Sequence, residues 1–157
     1  NVKNPISLAR MVKDSTAHVM LSGMGAFEFA QNMGVQIVDQ EYFMTERRRE
    51  QRQKILDKKH GTVGCVALDK NGNIAAGTST GGMSNKKYGR IGDSPIIGAG
   101  TYANSNFAGV SCTGHGEYFI KNAVAYDVIA MMNYKGVSVN EAAQTIVQDK
   151  LKKQNAT

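Results

Sequence analysis

A chain of 157 residues with 41% hydrophobic content can bury the core of one domain, which excludes a disordered protein. The net charge of +6 permits weak attraction to polyanions but does not require it. No apolar run approaches the ~20 residues of a membrane span, and no signal-like segment begins the chain. We therefore expect a cytoplasmic protein with no membrane partner. Because Asn1 stands in place of an initiator Met, we also expect a piece of a longer chain.

The two cysteines, Cys65 and Cys112, lie in separate apolar runs that have the pattern of strands. This usage argues against a disulfide framework and against a zinc site. We predict that both cysteines are small buried core residues and that this sequence holds no metal.

The first third of the chain is predicted to be mainly helical. Asn4 and Pro5 are typical of a helix start, and apolar residues at helical spacing follow as far as Ser15. The other predictions here are a strand at His18–Leu21, a helix at 26–33, an extended piece at 35–38 and a helix from Glu46 to about Lys58.

The last of these helices is strongly basic, and its only apolar residues are Ile55 and Leu56. A helix without an apolar stripe gains little from packing, so we predict a solvated linker. Nucleic-acid binding is the alternative. The lack of aromatic residues among the arginines argues against it, because unpaired bases stack on aromatic rings. We expect no nucleic-acid partner.

The next segment has the two-residue period of a hairpin, with predicted strands at Thr62–Leu68 and Asn73–Thr80. A two-residue turn would pair Val63 with Thr80 and place the two threonines on opposite faces. A three-residue loop, with Asp69 starting a type I turn and Gly72 left-handed, would pair Thr62 with Thr80. We favour the second turn because Asp and Gly suit those positions, and it places two hydroxyls side by side.

The second half of the chain is predicted to contain two further strands and two helices. They are strands at 96–102 and 108–112, a long helix from Glu117 to about Tyr134, and a helix that begins at the capping box Ser138-Val139-Asn140-Glu141. Strands followed by packed helices predict an α+β fold in which helices cover a sheet.

The Gly61-Thr62 bond is the first candidate for chemistry. A threonine hydroxyl is a weak nucleophile, but an N-terminal threonine also carries an α-amine that titrates near pH ~7.7–8.0 and can accept the hydroxyl proton. In the intact chain that amine is an amide. Hydrolysis between Gly61 and Thr62 would therefore create the nucleophile and its base together.

Two other segments supply parts that such a nucleophile needs. Thr80 lies across the hairpin and could orient the Thr62 hydroxyl. Thr113 and the Gly114 N–H lie between a strand and a helix, where backbone donors and the helix dipole stabilise an oxyanion. The ordinary alternative is that threonines are common in strands and glycine turns are common before helices.

Arg90 and Asp93 lie three residues apart in a glycine-flanked loop. Arg90 could bind a carboxylate through two hydrogen bonds while Asp93 binds an ammonium, so the pair suits an amino-acid substrate. A structural salt bridge between Arg90 and Asp93 is the alternative.

Gly114-His115-Gly116 does not complete a dinucleotide-binding fingerprint, because Phe119 stands at the position of the third glycine and no acidic ribose partner follows. His115 could act as a general base. A threonine that carries its own base makes that role unnecessary.

Together these residues form an ordered series of motifs. The series is His60-Gly61-Thr62-Val63-Gly64, Thr78-Ser79-Thr80-Gly81-Gly82-Met83, Gly89-Arg90-Ile91-Gly92-Asp93-Ser94-Pro95, Gly98-Ala99-Gly100-Thr101-Tyr102-Ala103 and Ser111-Cys112-Thr113-Gly114-His115-Gly116-Glu117. In this order the chain resembles the asparaginase/isoaspartyl peptidase family of N-terminal nucleophile (Ntn) hydrolases, close to its plant-type branch.

The resemblance implies a single, partial Ntn-hydrolase domain over residues 1–157, an αββα sandwich with part of its sheet outside this sequence. Residues 1–61 would form the end of an α subunit with its basic linker helix, and residues 62–157 the start of a β subunit. Both subunits would come from one precursor, remain associated and pair into a dimer of heterodimers. A structural alkali-metal ion is implied for a loop outside this sequence.

The resemblance also implies roles around the cleavage site. Carried over by position, Thr62 is the nucleophile, Thr80 and Thr113 are its neighbouring hydroxyls, and Gly114 is an oxyanion donor. The implied reaction needs no cofactor. Thr62 attacks the side-chain carbonyl of L-asparagine or of an isoaspartyl dipeptide, and water then releases L-aspartate.

Further implied roles concern the substrate. Arg90 would bind its α-carboxylate and Asp93 its α-amine. Thr113, Gly114 and Gly116 would line the same site.

Two other functions remain as alternatives. A sister branch removes N-linked glycans from asparagine and tends to carry Asp before the nucleophile and Asn in the second motif, where this chain has Gly61 and Gly81-Gly82. From another class, the chain could be a noncatalytic basic binding module in which Gly61-Thr62 is never cleaved.

Overall fold

The computed structural model describes residues 1–53 and 61–154, and the chain divides into two compact units, Asn1–Asp57 and Lys58–Thr157. The first unit is helical in its described part. Its elements are α1 (Pro5–Ser15), α2 (Gly23–Asn32), a 3₁₀ turn (Gln40–Phe43) and α3 (Glu46–Gln53). An antiparallel bridge between Val2 and Ile37 joins the start of this unit to the chain that follows α2.

The helices of the first unit confirm most of its predictions. Helix α1 begins at Pro5 and ends at Ser15, although the side chain of Asn4 makes no capping hydrogen bond. The strand predicted at His18–Leu21 is wrong, because these residues pair with no strand in the described part of the chain and Val19 is exposed. Helix α3 is described as far as Gln53, and its predicted extension to Lys58 lies outside the described residues.

The second unit combines two hairpins with a group of helices, which confirms the α+β class. Its strands are β1 (Thr62–Leu68), β2 (Ile74–Thr80), β3 (Thr101–Asn104) and β4 (Ala108–Ser111). Its helices are α4 (Gly116–Asn122), α5 (Val124–Lys135), α6 (Val139–Gln144), a π-helical turn (Thr145–Leu151) and a 3₁₀ turn (Lys152–Gln154). Strands β1 and β2 pair antiparallel, as do β3 and β4.

The β1–β2 turn has the three-residue geometry that we favoured. The Gly72 N–H donates to the Asp69 carbonyl (3.1 Å), and the Asp69 N–H donates to the Asn73 carbonyl (2.9 Å). Gly72 has a φ of +84°, which a residue with a side chain rarely adopts. The Asp69 carboxylate accepts hydrogen bonds from Asn73, which lower its pKa. This turn sets the register in which Thr62 faces Thr80.

The two hairpins pack face to face at positions where side chains are small. A Cβ on Gly109 would lie 2.6 Å from Val66 Cγ1 and 3.0 Å from Ile74 Cγ2. The hydroxyls of Thr78 and Ser111 lie 2.7 Å apart and connect the two sheets. Because side chains alternate along a strand, Val110 and Cys112, on either side of Ser111, point toward the helices.

The helical layer contains the main apolar core of the unit. Val110 and Cys112 pack on a cluster formed by Phe119, Val124, Val128, Ala142, Ile146 and Leu151. Ser138 caps α6 as predicted, since the Glu141 N–H donates to Ser138 Oγ (3.2 Å). The return bond of a capping box, from the Ser138 N–H to the Glu141 side chain, is not present among the described residues. The prediction that both cysteines are buried is wrong for Cys65, which is exposed on β1.

Within residues 1–53 and 61–154, no helix is both long enough and apolar enough to cross a membrane.

The long helix predicted from Glu117 is broken at Ala123, which has a φ of +46°. The break separates α4 from α5 and frees the first N–H groups of α5 from helical hydrogen bonding. Those of Ala125 and Tyr126 donate instead to the carbonyls of Ala99 (3.1 Å) and Gly98 (2.8 Å). These carbonyls belong to turns, so the strand predicted at 96–102 exists only from Thr101 onward. The prediction failed because these bonds join segments far apart in sequence.

Candidate active site

The register of the first hairpin places Thr62 directly opposite Thr80, so their side chains share one face. Thr80 Oγ1 donates a hydrogen bond to the Gly61 carbonyl oxygen at 2.8 Å. The Gly82 N–H donates in turn to Thr80 Oγ1 at 3.0 Å. An accepted hydrogen bond polarises the hydroxyl and strengthens its own donation. The Thr80 side chain is therefore placed on the carbonyl of the predicted cleavage site.

Thr62 and Thr113 line one cavity of about 420 Å³ between β1, β4 and the helices. The structure thus brings the predicted nucleophile and the third threonine to the same space. Cys112 also lines this cavity, and burial raises the pKa of its thiol to about 12. At neutral pH this thiol is protonated, so it is not a competing nucleophile.

Thr113 and Gly114 follow β4 and precede α4, as the sequence predicted. Gly114 has a φ of +156°, and a Cβ there would lie 2.5 Å from the ring of Phe119. Among the described residues, the Gly114 N–H has no hydrogen-bond acceptor. An unpaired N–H next to Thr113, which lines the cavity, is suited to an oxyanion. The helix behind it has only seven residues, so its dipole is small.

Arg90 forms an ion pair with Glu117 and not with Asp93. Its Nε donates to Glu117 Oε1 at 2.7 Å, and its Nη2 donates to Glu117 Oε2 at 2.9 Å. These hydrogen bonds, supported by the attraction of the two charges, lower the pKa of Glu117 to about 2 and raise the pKa of Arg90. The alternative interpretation, a salt bridge between Arg90 and Asp93, is therefore wrong, because the acidic partner of Arg90 is Glu117.

Asp93 is only 6% exposed, which is rare for a carboxylate. Its Oδ2 atom is buried and has no hydrogen-bond partner among the described residues. Burial raises the pKa of Asp93, opposed by its own N–H, Arg90 and the Ser94 N–H. A buried acceptor without a donor is costly for the fold and is suited to receive a cationic ligand group.

The absence of a side chain at Gly116 brings Arg90 and Asp93 together. A Cβ at Gly116 would lie 2.9 Å from Arg90 Nη2 and 2.9 Å from Asp93 Oδ1. At Gly92 a Cβ would lie 3.0 Å from Arg90 Nη1. The guanidinium therefore occupies a slot between two glycines, with the Asp93 carboxylate beside it.

Two residues that shape this site, Glu117 and Gly100, were not predicted from the sequence to have a role. Glu117 was part of a motif, and an acidic residue one position after Gly116 was the only available signal. Gly100 was also missed, although a Cβ there would lie 2.5 Å from the Asp93 carbonyl carbon and 2.7 Å from Ser94 Cα. This contact fixes the Asp93 loop against β3.

His115 precedes α4, and its ring lies 6.4 Å from that of Tyr118 in an edge-to-face arrangement. Its charge also lowers the pKa of Glu117. In the part of the chain that the structure describes, no three His, Cys, Asp or Glu side chains are grouped as metal ligands.

The α+β fold and its threonine hairpin can now be compared with known proteins. The family model described as Asparaginase matches residues 1–58 and 49–157. The chain is 47% identical to the isoaspartyl peptidase of Escherichia coli, over 96% of this chain and 52% of that protein. It is 45% identical to "Probable isoaspartyl peptidase/L-asparaginase 2" of Arabidopsis thaliana, over 96% of this chain and 56% of that protein. A human isoaspartyl peptidase/L-asparaginase is 43% identical over 90% of this chain and 49% of its own length.

These matches cover nearly the whole chain, and the chain therefore belongs to the asparaginase family. Its relatives carry the names isoaspartyl peptidase and L-asparaginase in bacteria, plants and mammals. The chain spans about half the length of the curated relatives that it matches.

Proposed function

We propose that the full-length protein is a self-processing threonine amidohydrolase of the isoaspartyl peptidase/L-asparaginase type. It cleaves itself between Gly61 and Thr62 and then releases L-aspartate from L-asparagine and from isoaspartyl peptides. The observation that carries this proposal is the hydrogen bond from Thr80 Oγ1 to the Gly61 carbonyl oxygen, at 2.8 Å. The names of the relatives support the substrate class.

Self-cleavage begins at the Gly61 carbonyl carbon. The Thr62 hydroxyl attacks it, and negative charge develops on the carbonyl oxygen to which Thr80 donates. The proton that the hydroxyl loses is transferred to the nitrogen of the Gly61-Thr62 peptide bond. The peptide C–N bond then breaks, so that Gly61 is joined to Thr62 Oγ as an ester and the Thr62 amine is released. Water hydrolyses the ester and leaves a Gly61 carboxylate and an N-terminal Thr62.

The second reaction uses the amine that the first reaction releases. The Thr62 amine accepts the hydroxyl proton while Oγ attacks the side-chain carbonyl of the substrate. The unpaired Gly114 N–H and the Thr113 hydroxyl stabilise the oxyanion. Ammonia or a peptide amine leaves with a proton, and water hydrolyses the aspartyl ester to L-aspartate. No cofactor is needed, since nucleophile and base belong to one residue.

Arg90 and Asp93 recognise the two ends of the aspartyl unit. The buried, unpaired Asp93 Oδ2 receives the α-ammonium, and Arg90 binds the α-carboxylate with donors that Glu117 does not occupy. Gly116 keeps the space between them open. Because recognition is confined to the aspartyl unit, both ammonia and a peptide amine can serve as leaving group.

The assembly proposed for the whole protein is an αββα sandwich of α and β subunits, paired as a dimer of heterodimers. The β1–β2 hairpin packs on the β3–β4 hairpin, and α5 packs on β3–β4. This packing supports three layers of the proposed sandwich, namely both sheets and one layer of helices. The alkali-metal ion and the cytoplasmic location stay predictions.

Intact-mass analysis of the full-length gene product tests the self-cleavage. We expect a fragment that begins at Thr62 to accumulate during incubation, and no such fragment from Thr62→Ala. A wild-type chain that remains intact under these conditions would refute the proposal and leave the noncatalytic binding module as the alternative.

An assay of product release then distinguishes the branches of the family. The processed protein is given L-asparagine, an isoaspartyl dipeptide and glycosylated asparagine, and released L-aspartate is measured. We expect activity on the first two. Preferred cleavage of glycosylated asparagine would assign the protein to the glycan-removing branch.

A further inference from the structure

The pair formed by Arg90 and Glu117 restricts how the guanidinium can be used. Two parallel hydrogen bonds hold its Nε and Nη2 edge on the Glu117 carboxylate. A guanidinium has five N–H donors in a rigid plane, so fixing one edge fixes the direction of the others. Among residues 1–53 and 61–154, Nη1 has no hydrogen-bond acceptor, so this end remains available for a second carboxylate.

The surroundings of Arg90 support a single orientation. Its side chain is 20% exposed, and its Nη1 and Nη2 atoms lie 3.0 and 2.9 Å from the positions that Cβ atoms on Gly92 and Gly116 would take. Asp93 is buried at the same place, with Oδ1 2.9 Å from the position that a Cβ on Gly116 would take. Glu117 is about half exposed and contacts the guanidinium from the side of helix α4.

We propose that Glu117 is a positioning residue for Arg90: it fixes the guanidinium so that its remaining donors bind the substrate α-carboxylate beside Asp93. This inference rests on the function proposed above and adds a residue to its substrate site. Without Glu117, the Arg90 side chain gains rotamers, and ordering them on binding costs affinity.

The charge of Glu117 is suited to this role at every pH at which such an enzyme works. Its pKa, lowered to about 2 by the Arg90 hydrogen bonds, keeps it ionised. Asp93 makes no ion pair with Arg90 among the described residues, so it does not replace Glu117 as the anchor. The two carboxylates therefore have separate tasks, one toward Arg90 and one toward the substrate amine.

Steady-state kinetics of the processed full-length protein test this inference with two substrates. L-Asparagine carries the α-carboxylate, and β-alaninamide is the same molecule without it. For Glu117→Gln and Glu117→Ala we expect the KM for L-asparagine to rise about tenfold, with kcat changed less than twofold. For β-alaninamide we expect no change. Glu141→Gln is the matched control, because it also removes one negative charge, from an exposed position on α6.

A calorimetric titration with L-aspartate provides a readout that does not depend on turnover. We expect Glu117→Gln to weaken L-aspartate binding about tenfold and Glu141→Gln to leave it unchanged. Equal effects on L-asparagine and β-alaninamide would overturn the inference, because they would indicate a general structural defect. Tighter L-aspartate binding by Glu117→Ala would also overturn it, because Glu117 would then compete with the substrate carboxylate. A wild-type protein that binds L-aspartate but releases none from any substrate would contradict the proposed function. The role of Glu117 would then be decided by the change in L-aspartate affinity in the titration.

Discussion

Thr80 donates a hydrogen bond to the carbonyl oxygen of Gly61, the residue that precedes its cross-strand partner Thr62. The donor is thus already in place on the atom that would become negative during the proposed self-cleavage. Loss of one oxyanion donor commonly costs a factor of about 100 or more in rate. We therefore expect Thr80→Val to slow the appearance of the fragment that begins at Thr62 by about 100-fold, measured as an intact-mass time course.

Thr80→Ser is the matched control for this prediction. It keeps the hydroxyl that receives the Gly82 N–H and donates to Gly61, so its cleavage rate is expected to stay within a few-fold of wild type. Wild-type cleavage by Thr80→Val would show that this hydrogen bond does not assist the reaction.

A second prediction concerns the contact between the two hairpins at Gly64. A Cβ at this position would overlap Ser111 Oγ and lie 2.6 Å from Ser111 Cβ. Overpacking of this kind costs about 1–3 kcal/mol. We expect Gly64→Ala to lower the free energy of unfolding by that amount in urea denaturation.

Ser111→Gly removes the side chain that the new Cβ would overlap, so it tests whether this overlap causes the loss of stability. If the overlap is responsible, the double variant Gly64→Ala/Ser111→Gly is more stable than the sum of the single changes predicts. Gly25→Ala serves as control, because a Cβ there meets nothing within 4 Å in helix α2. Additive losses in the double variant would exclude the steric explanation.

Asp93 is expected to impair stability while it serves binding. Burial raises the pKa of this carboxyl, so the ionised form destabilises the fold. The penalty is complete above the raised pKa of the folded state and disappears as the pH falls toward the ordinary value of 3.8. We expect Asp93→Asn to unfold at higher urea concentration than wild type at pH 7 and to lose this advantage near pH 4.

The same substitution should weaken the substrate site. Without the Asp93 charge, the KM for L-asparagine is expected to rise at least tenfold, whereas succinamate, which lacks the α-amine, should be affected much less. An equal loss for both compounds would argue against an ammonium site at Asp93.

The break between α4 and α5 leads to a fourth prediction. Ala123 has a φ of +46°, and the left-handed conformation costs an L-residue roughly 1–2 kcal/mol that glycine does not incur. Ala123→Gly removes this cost but adds the conformational entropy that glycine loses on folding. We expect the net effect to be a rise of about 1 kcal/mol in the free energy of unfolding. Ala125→Gly, two residues later inside α5, should lower it by a similar amount. Destabilisation by Ala123→Gly would contradict this account of the break.

The first hairpin was predictable from the sequence because its geometry is local. Asp69 and Gly72 select a three-residue loop, and the loop alone sets the register that pairs Thr62 with Thr80. The helix start at Pro5 and the Ser138 cap of α6 were predictable for the same reason. Each depends on residues within a few positions of one another.

The sequence by itself therefore determined the hairpin, the threonine at its mouth and the loop that carries Arg90 and Asp93. Only the tertiary structure decided that Arg90 pairs with Glu117, that Asp93 is buried with an unpaired oxygen, and that the helix breaks at Ala123. Glu117 lies 27 residues from Arg90, and the helix break is satisfied by carbonyls of the Gly98 and Ala99 turn. Such contacts depend on which distant segments pack together, and no local pattern of residue types contains that information.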